Sequence, residues 1–243
     1  MTAKRSKPIK IALGPPFETS ELRKSLTSYL TQLAADSHSG TERRLGNFKF
    51  GVYAFYDYDG EPIYVGQTNE KLSTRIRRHL TNQRTDAVAM KVLDPFEVRE
   101  IEVWPLPHHQ QKDKSDLEAK AELDWLESAV FQMLLKRSRF KAVLNEKEPP
   151  LIRGAKYSKP PSWRGNIVSS EVFALRSHPD TRIARRAETL SLLAKVISER
   201  QVQKGLRNTL LTQSRRLEWL AQTRLDALHN QPKAPDDVDD VDE

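Results

Sequence analysis

No cysteine occurs in the 243-residue sequence, which excludes disulfide scaffolds, thiolate zinc sites and cysteine nucleophiles. Long apolar runs are missing as well. No stretch approaches the roughly 18 apolar residues that span a bilayer, and the basic start MTAKRSKPIK is not followed by the apolar segment of a signal peptide. A cytoplasmic protein is the expectation. Hydrophobic residues make up only 37% of the chain against 30% charged, which leads to one compact core of about 100 residues carrying polar appendages. The net charge is +7, yet the last eight residues, DDVDDVDE, hold six acids. Setting those six aside raises +7 to +13 for residues 1–235. A balance of that sign favours a polyanionic partner, nucleic acid first.

Residues 1–18 are basic and then proline-rich, as in a flexible arm. Leu22, Leu26, Tyr29, Leu30 and Leu33 then recur at spacings of three and four, the pattern of an amphipathic helix opened by Thr19 or Ser20. A polar stretch leads to FKFGVYAFY, which alternates and is rich in aromatic residues; DYDG supplies a turn and EPIYVGQ a returning strand. Residues 70–83 have helical spacing through Leu72, Ile76 and Leu80, with Asn69 or Ser73 as caps. PFEVREIEVWPLP reads as a third strand, and residues 114–138 as a long helix with Leu123, Leu126, Val130, Met133 and Leu134 on its stripe. The core order is thus β-β-α-β-α. The expected class is α/β (α+β), a small mixed β-sheet flanked by helices, with an N-terminal helix and a C-terminal helical extension. Expected boundaries are 1–46 for arm and helix, 47–147 for the core, 148–181 for a proline-rich linker, 182–230 for the extension, broken near Gly205, and 231–243 for a disordered acidic tail.

Chemistry concentrates in the core. If the hairpin turn is centred on Tyr58 and Asp59, Tyr53 lies opposite Tyr64 and Gly51 opposite Gly66, with paired Cβ atoms about 5 Å apart. A turn on Asp59 and Gly60 shifts the register by two and makes the tyrosines diagonal neighbours on the same face. Glycines beside them leave bare backbone that a ligand can approach. Arg75 and His79, four apart, point the same way from the next helix, while Ile76 and Leu80 turn toward the sheet. Arg77, Arg78 and Arg84 add positive charge nearby. Glu127 follows the apolar spacing of Leu123, Val130 and Leu134, and a carboxylate there needs a salt bridge, a metal or a cleft. Glu118, Glu122 and Asp124 read as solvated acids, and Asn145 as a cap or a coordinating group. Together these groups suit phosphodiester hydrolysis: Glu127 to hold magnesium, Arg75 to clamp phosphate, and a tyrosine whose pKa metal and arginine lower until it can take a proton from water.

Gly51-Val52-Tyr53, Tyr64-Val65-Gly66, Arg75, His79, Glu127 and Asn145, in that order over residues 48–147, resemble the GIY-YIG nuclease superfamily. The phrases GVYAFY, PIYVG and STRIRRH look most like its restriction-endonuclease branch. The resemblance implies single-metal cleavage of DNA with Mg2+ or Mn2+ on Glu127. It implies Tyr53 as general base, assisted by His79 and Tyr64, Arg75 on the phosphate and Asn145 as support. Arg75, Arg77, Arg78 and Arg84 would contact the nucleic acid. Two departures stand out: Gln67 follows the second triplet where many members have lysine, and the interval from Glu127 to Asn145 is long.

Outside the core, the helices of residues 182–229 have three readings: packing on the core, a homodimer, or DNA contact through Arg182, Arg185, Arg186, Arg207, Arg215 and Arg216. Trp163 and Arg164 read as a local cluster or a DNA contact. The functional expectation is a metal-dependent DNA endonuclease of restriction or genome defence. The alternatives are a catalytically silent DNA-binding module, a structure-specific repair or recombination nuclease, and an interaction protein built on the C-terminal helices.

Overall fold

A computed structural model of the protein describes residues 15–36, 40–82, 91–145, 147–154, 157–202 and 204–230. Most of the basic arm, Arg84 and the acidic tail lie outside the described residues.

The first helix, α1 (Phe17–Thr31), buries Leu22, Leu26, Tyr29 and Leu30 as its spacing predicts. It starts earlier than expected, with Pro16 at the cap position and no side-chain cap, so Thr19 and Ser20 sit inside it. Proline fixes its own φ and lacks an N–H, which suits it to a helix start. Leu33 leaves the stripe: it begins β1 (Leu33–Asp36), which pairs with β2 (Thr41–Arg44) in a separate antiparallel hairpin. That hairpin falls in the stretch expected to be merely polar, because LAAD and TERR carry almost no β-branched or aromatic residues.

The main sheet contains β3 (Gly51–Tyr56), β4 (Pro62–Thr68), β5 (Glu100–Pro105) and β6 (Trp163–Asn166), in the order β4-β3-β5-β6. Every pairing is antiparallel rather than mixed. Strands β4 and β5 do run the same way, because α2 (Leu72–Leu80) carries the chain back between them, but β3 separates them. The stretch expected to be a linker supplies β6, whose four residues WRGN are too few and too polar to announce a strand. Its carbonyl at Trp163 accepts from the Tyr29 hydroxyl at 3.0 Å. Arg164 pairs with Glu100 and covers the Tyr56 ring at 3.7 Å, so this is a local cluster.

The hairpin adopts the second of its two expected registers. Tyr53 is opposite Gly66 and Tyr64 opposite Phe55, with a bulge between Phe55 and Tyr56. Asp57 decides this: its Oδ1 accepts from the backbone N–H groups of Asp59 (2.8 Å) and Glu61 (2.9 Å). Gly60 meanwhile takes a φ of +75° that side chains resist.

Both faces of the sheet are buried. Tyr53, Phe55, Ile101 and Val103 pack with α1 and α2. Val52, Ala54, Tyr56, Val65 and Trp104 pack against α3 (Leu117–Arg137) through Leu123, Leu126, Val130 and Leu134. After the short α4 (Ser170–Arg176) come α5 (Pro179–Glu199) and α6 (Lys204–His229). The break between them precedes Gly205, which lies in the first turn of α6. Leu193, Ile197 and Leu206 join the first face's core.

Charge also anchors the extension. Arg186 reaches Asp57 (2.8 Å), Glu97 (3.1 Å) and Asp59 (3.2 Å); Arg182 pairs with Asp59 and Arg216 with Asp57. All three arginines are buried. They dock α5 and α6 onto the DYDG turn and are not DNA contacts; packing is the reading that holds for them. Arg185 faces Glu18 at 3.7 Å, while Arg207 and Arg215 stay exposed.

Candidate active site

Strand β4 is an edge of the main sheet, and its open side is where the predicted residues gather. Asn145 closes part of that edge: its Oδ1 accepts from the Val65 N–H at 3.0 Å and its Nδ2 donates to the Val65 carbonyl at 2.7 Å. Leu144 adds a backbone bond to the Ile63 carbonyl at 3.0 Å. The carboxamide thus behaves like one residue of an extra strand, fixing the backbone between Tyr64 and Gly66. The long interval after Glu127 is no obstacle, because α3 runs on to Arg137 before the chain returns to the edge.

On the α2 side, the Tyr53 hydroxyl lies 2.8 Å from His79 Nε2 and accepts from Arg75 Nε at 3.3 Å. Tyr53 and His79 are fully buried. Tyr64 stacks beside them, its ring centroid 6.3 Å from that of Tyr53 and 5.0 Å from that of His79. Gly66 exists for this packing: a Cβ there would come within 2.6 Å of Tyr53 Cζ. Burial pushes His79 down to about 3, helped by Arg75 and Arg78, so its imidazole is neutral near pH 7. Burial, with Tyr64 adding to it, holds the Tyr53 phenol well above the ordinary tyrosine value despite Arg75. The protein's own groups therefore shift it opposite to the lowering expected from metal and arginine together.

Glu127 arrives from the other face of the sheet, on α3. It is half-buried, and among the described residues no hydrogen bond or ion pair within the protein satisfies it. Burial raises its carboxyl to about 7, with Asp124 adding and Arg75 opposing. Both carboxylates, with Tyr64, Gly66, Arg75 and Asn145, border one cavity of about 410 Å³. An acid with no partner of its own, beside a second acid in an open cavity, fits a hard divalent cation with oxygen ligands.

Of the expected nucleic-acid contacts, Arg75 alone borders this cavity among the described residues. Arg77 donates to Thr27 Oγ1 at 2.8 Å and Arg78 to Glu70 at 2.6 Å. Two expected solvated acids are otherwise engaged. Asp124 accepts from Gln67 Nε2 at 2.7 Å, and Glu122 is buried against two histidines. Gln67 and Asp124 also border a second cavity of about 460 Å³, lined by Arg75, Lys114 and Lys120, so the two cavities form one groove along the β4 edge. Lys147 and Glu148 line the first cavity as well. The only sequence signal for Asp124 is its place one turn before Glu127; Lys114, Lys120 and Lys147 carry none.

Residues 49–128 match the family model described as the GIY-YIG catalytic domain. Comparison with curated proteins and with solved structures yields no match. The matched span holds both tyrosine triplets, Arg75, His79 and Glu127, the groups that meet at the β4 edge, and it ends before Asn145 and the helical extension. By this match residues 49–128 carry a GIY-YIG catalytic domain.

Proposed function

We propose that the protein is a metal-dependent endonuclease that hydrolyses DNA phosphodiester bonds. The carrying observation is the half-buried, unpartnered Glu127 carboxyl, facing the same cavity as Arg75 and Tyr64. Glu127 would hold Mg2+ or Mn2+, with Asp124 near enough to share the charge. The ion would neutralise the charge that develops on phosphate oxygens. Arg75 extends along the cavity wall, where its guanidinium can clamp a non-bridging oxygen. Tyr64 lies at the wall and Tyr53 behind it; in its phenolate form, once the bound cation and Arg75 offset the raised value that burial gives the phenol, Tyr53 would act as general base for the attacking water, with neutral His79 Nε2 at 2.8 Å orienting its oxygen. The N–H of Arg75 supports negative charge on that phenolic oxygen. Asn145 keeps the backbone between Tyr64 and Gly66 in position.

A role in restriction or genome defence rests on the likeness of GVYAFY, PIYVG and STRIRRH to the restriction branch. Leu211, Leu225 and Leu228 are exposed on α6, a surface suited to a homodimer that would bring one site to each DNA strand. A cytoplasmic location accords with this role, and among the described residues no helix is long and apolar enough to cross a membrane. The test is incubation of the purified chain with plasmid, linear duplex, branched and single-stranded DNA in Mg2+ or Mn2+. Nicking or cutting is expected, and Glu127→Ala should abolish it while circular dichroism stays native. Undiminished cleavage by that variant overturns the metal assignment.

A further inference from the structure

A second convergence of ligand-type side chains lies on the same helix, turned away from the first. Glu122 and Glu127 are separated by about 140° around α3, at about 100° per residue. Glu122 is buried and meets the short turn Pro107–His109 that follows β5. His108 Nε2 and His109 Nε2 lie 2.8 Å and 2.9 Å from one and the same Glu122 oxygen. The three donor atoms fall within 4.8 Å of one another. His109 is buried against the edge of Phe50, with ring centroids 5.9 Å apart, whereas the His108 side chain is 41% exposed.

Both rings converge on a single carboxylate oxygen, which can accept an N–H from each. A divalent ion in that place would use the lone pairs of all three groups at once, with the ring proton of His109 on Nδ1. Zinc sits at about 2.0–2.2 Å from nitrogen and oxygen ligands, which keeps those ligands about 3 Å apart. The two nitrogen-to-oxygen spacings, 2.8 Å and 2.9 Å, are already close to that, and occupancy needs the rings to turn until the two nitrogens, within 4.8 Å of each other, share the ion. Two imidazole nitrogens and one carboxylate oxygen suit a borderline transition metal better than magnesium, which prefers oxygen alone. The exposed edge of His108 leaves room for water to complete the coordination.

We propose that His108, His109 and Glu122 form a transition-metal site, for Zn2+ first, that staples the segment after β5 to α3. That segment carries Lys112, whose carbonyl accepts from Lys49, and Lys114, which lines the groove and whose carbonyl accepts from Asn69 at 3.2 Å. An ion here steadies one wall of the groove, and its binding does not depend on whether the chain cleaves DNA.

The experiment titrates Zn2+ into the full-length, chelator-treated chain by calorimetry without DNA, and follows the thermal midpoint in parallel. One equivalent of Zn2+ and a raised midpoint are expected for the wild type and for Glu127→Gln. His108→Asn, at the exposed ring, leaves the core intact. It should weaken binding by more than the about 10–100-fold that follows removal of an outer-shell partner, and Glu122→Gln should do the same. Absence of Zn2+ binding in the wild type overturns the proposal. So does an unchanged affinity in both variants, or binding of Mg2+ as tight as that of Zn2+ by Glu127→Gln.

Discussion

Replacing Glu127 by Gln separates the cost of holding a charge at the β4 edge from its use. Burial lifts the carboxyl from its ordinary 4.5 to about 7. The folded protein therefore binds this proton more tightly than the unfolded chain, and the stability it contributes is complete below about pH 4.5 and is lost as pH rises through about 7. A shift of that size corresponds to about 3 kcal/mol at about 1.36 kcal/mol per pH unit. Because the side chain is only partly buried, solvent screening brings this to about 2 kcal/mol. Glutamine keeps the shape of the protonated acid and cannot ionise. In chelator the variant should match the wild type at pH 4 and exceed it by about 2 kcal/mol at pH 8, some 4–8 °C in Tm. Added Mg2+ should raise the wild-type midpoint at pH 8 and leave the variant unmoved, while DNA cleavage disappears. Thermal melts from pH 4 to 8 with and without Mg2+, beside a plasmid-nicking assay, read all three effects. A stability difference that does not change with pH would refute the reasoning, because Glu127 would then be a solvated acid.

Arg186→Leu strands Glu97 in the interior and leaves Asp57 to Arg216 alone, and should cost about 3–5 kcal/mol in urea unfolding; a loss below about 1 kcal/mol would show the pairs to be solvent-screened. His79, held down to about 3, should keep a neutral ring at pH 5 by NMR, and folding stability should rise with pH between about 3 and 6.5; a ring titrating near 6.5 would contradict its burial. Asn145→Ala removes two hydrogen bonds to Val65, so a loss of about 1–2 kcal/mol with a larger fall in kcat than in DNA affinity is expected; an unchanged kcat would deny it a positioning role. Gln at both Lys147 and Arg215 should flatten the salt dependence of DNA binding, by about one unit of slope for each phosphate that no longer meets a cation. Equal slopes would put the DNA elsewhere.

The core elements and most of the candidate site were legible along the chain, each through a local rule. Aromatic alternation marks β3 and β4, three-four spacing marks α2 and α3, and an acid in line with an apolar stripe marks Glu127. The spans β1, β2 and β6 were not, because four-residue strands of polar or small residues hold their shape only through partners elsewhere in the chain. The hairpin register hung on one side chain, Asp57, and the arginines of α5 and α6 carried identical charge whether destined for solvent or interior. The sequence by itself determined which residue types the chemistry has available and which faces of their elements they occupy, since those follow from period and composition. Only the tertiary structure decided which groups lose their water: it put Tyr53 and His79 in the interior, buried Arg182, Arg186 and Arg216 against acids, left Glu127 at a cavity, and drew Glu122 to two histidines. Desolvation depends on what packs around a group from the whole fold, and no local spacing records it.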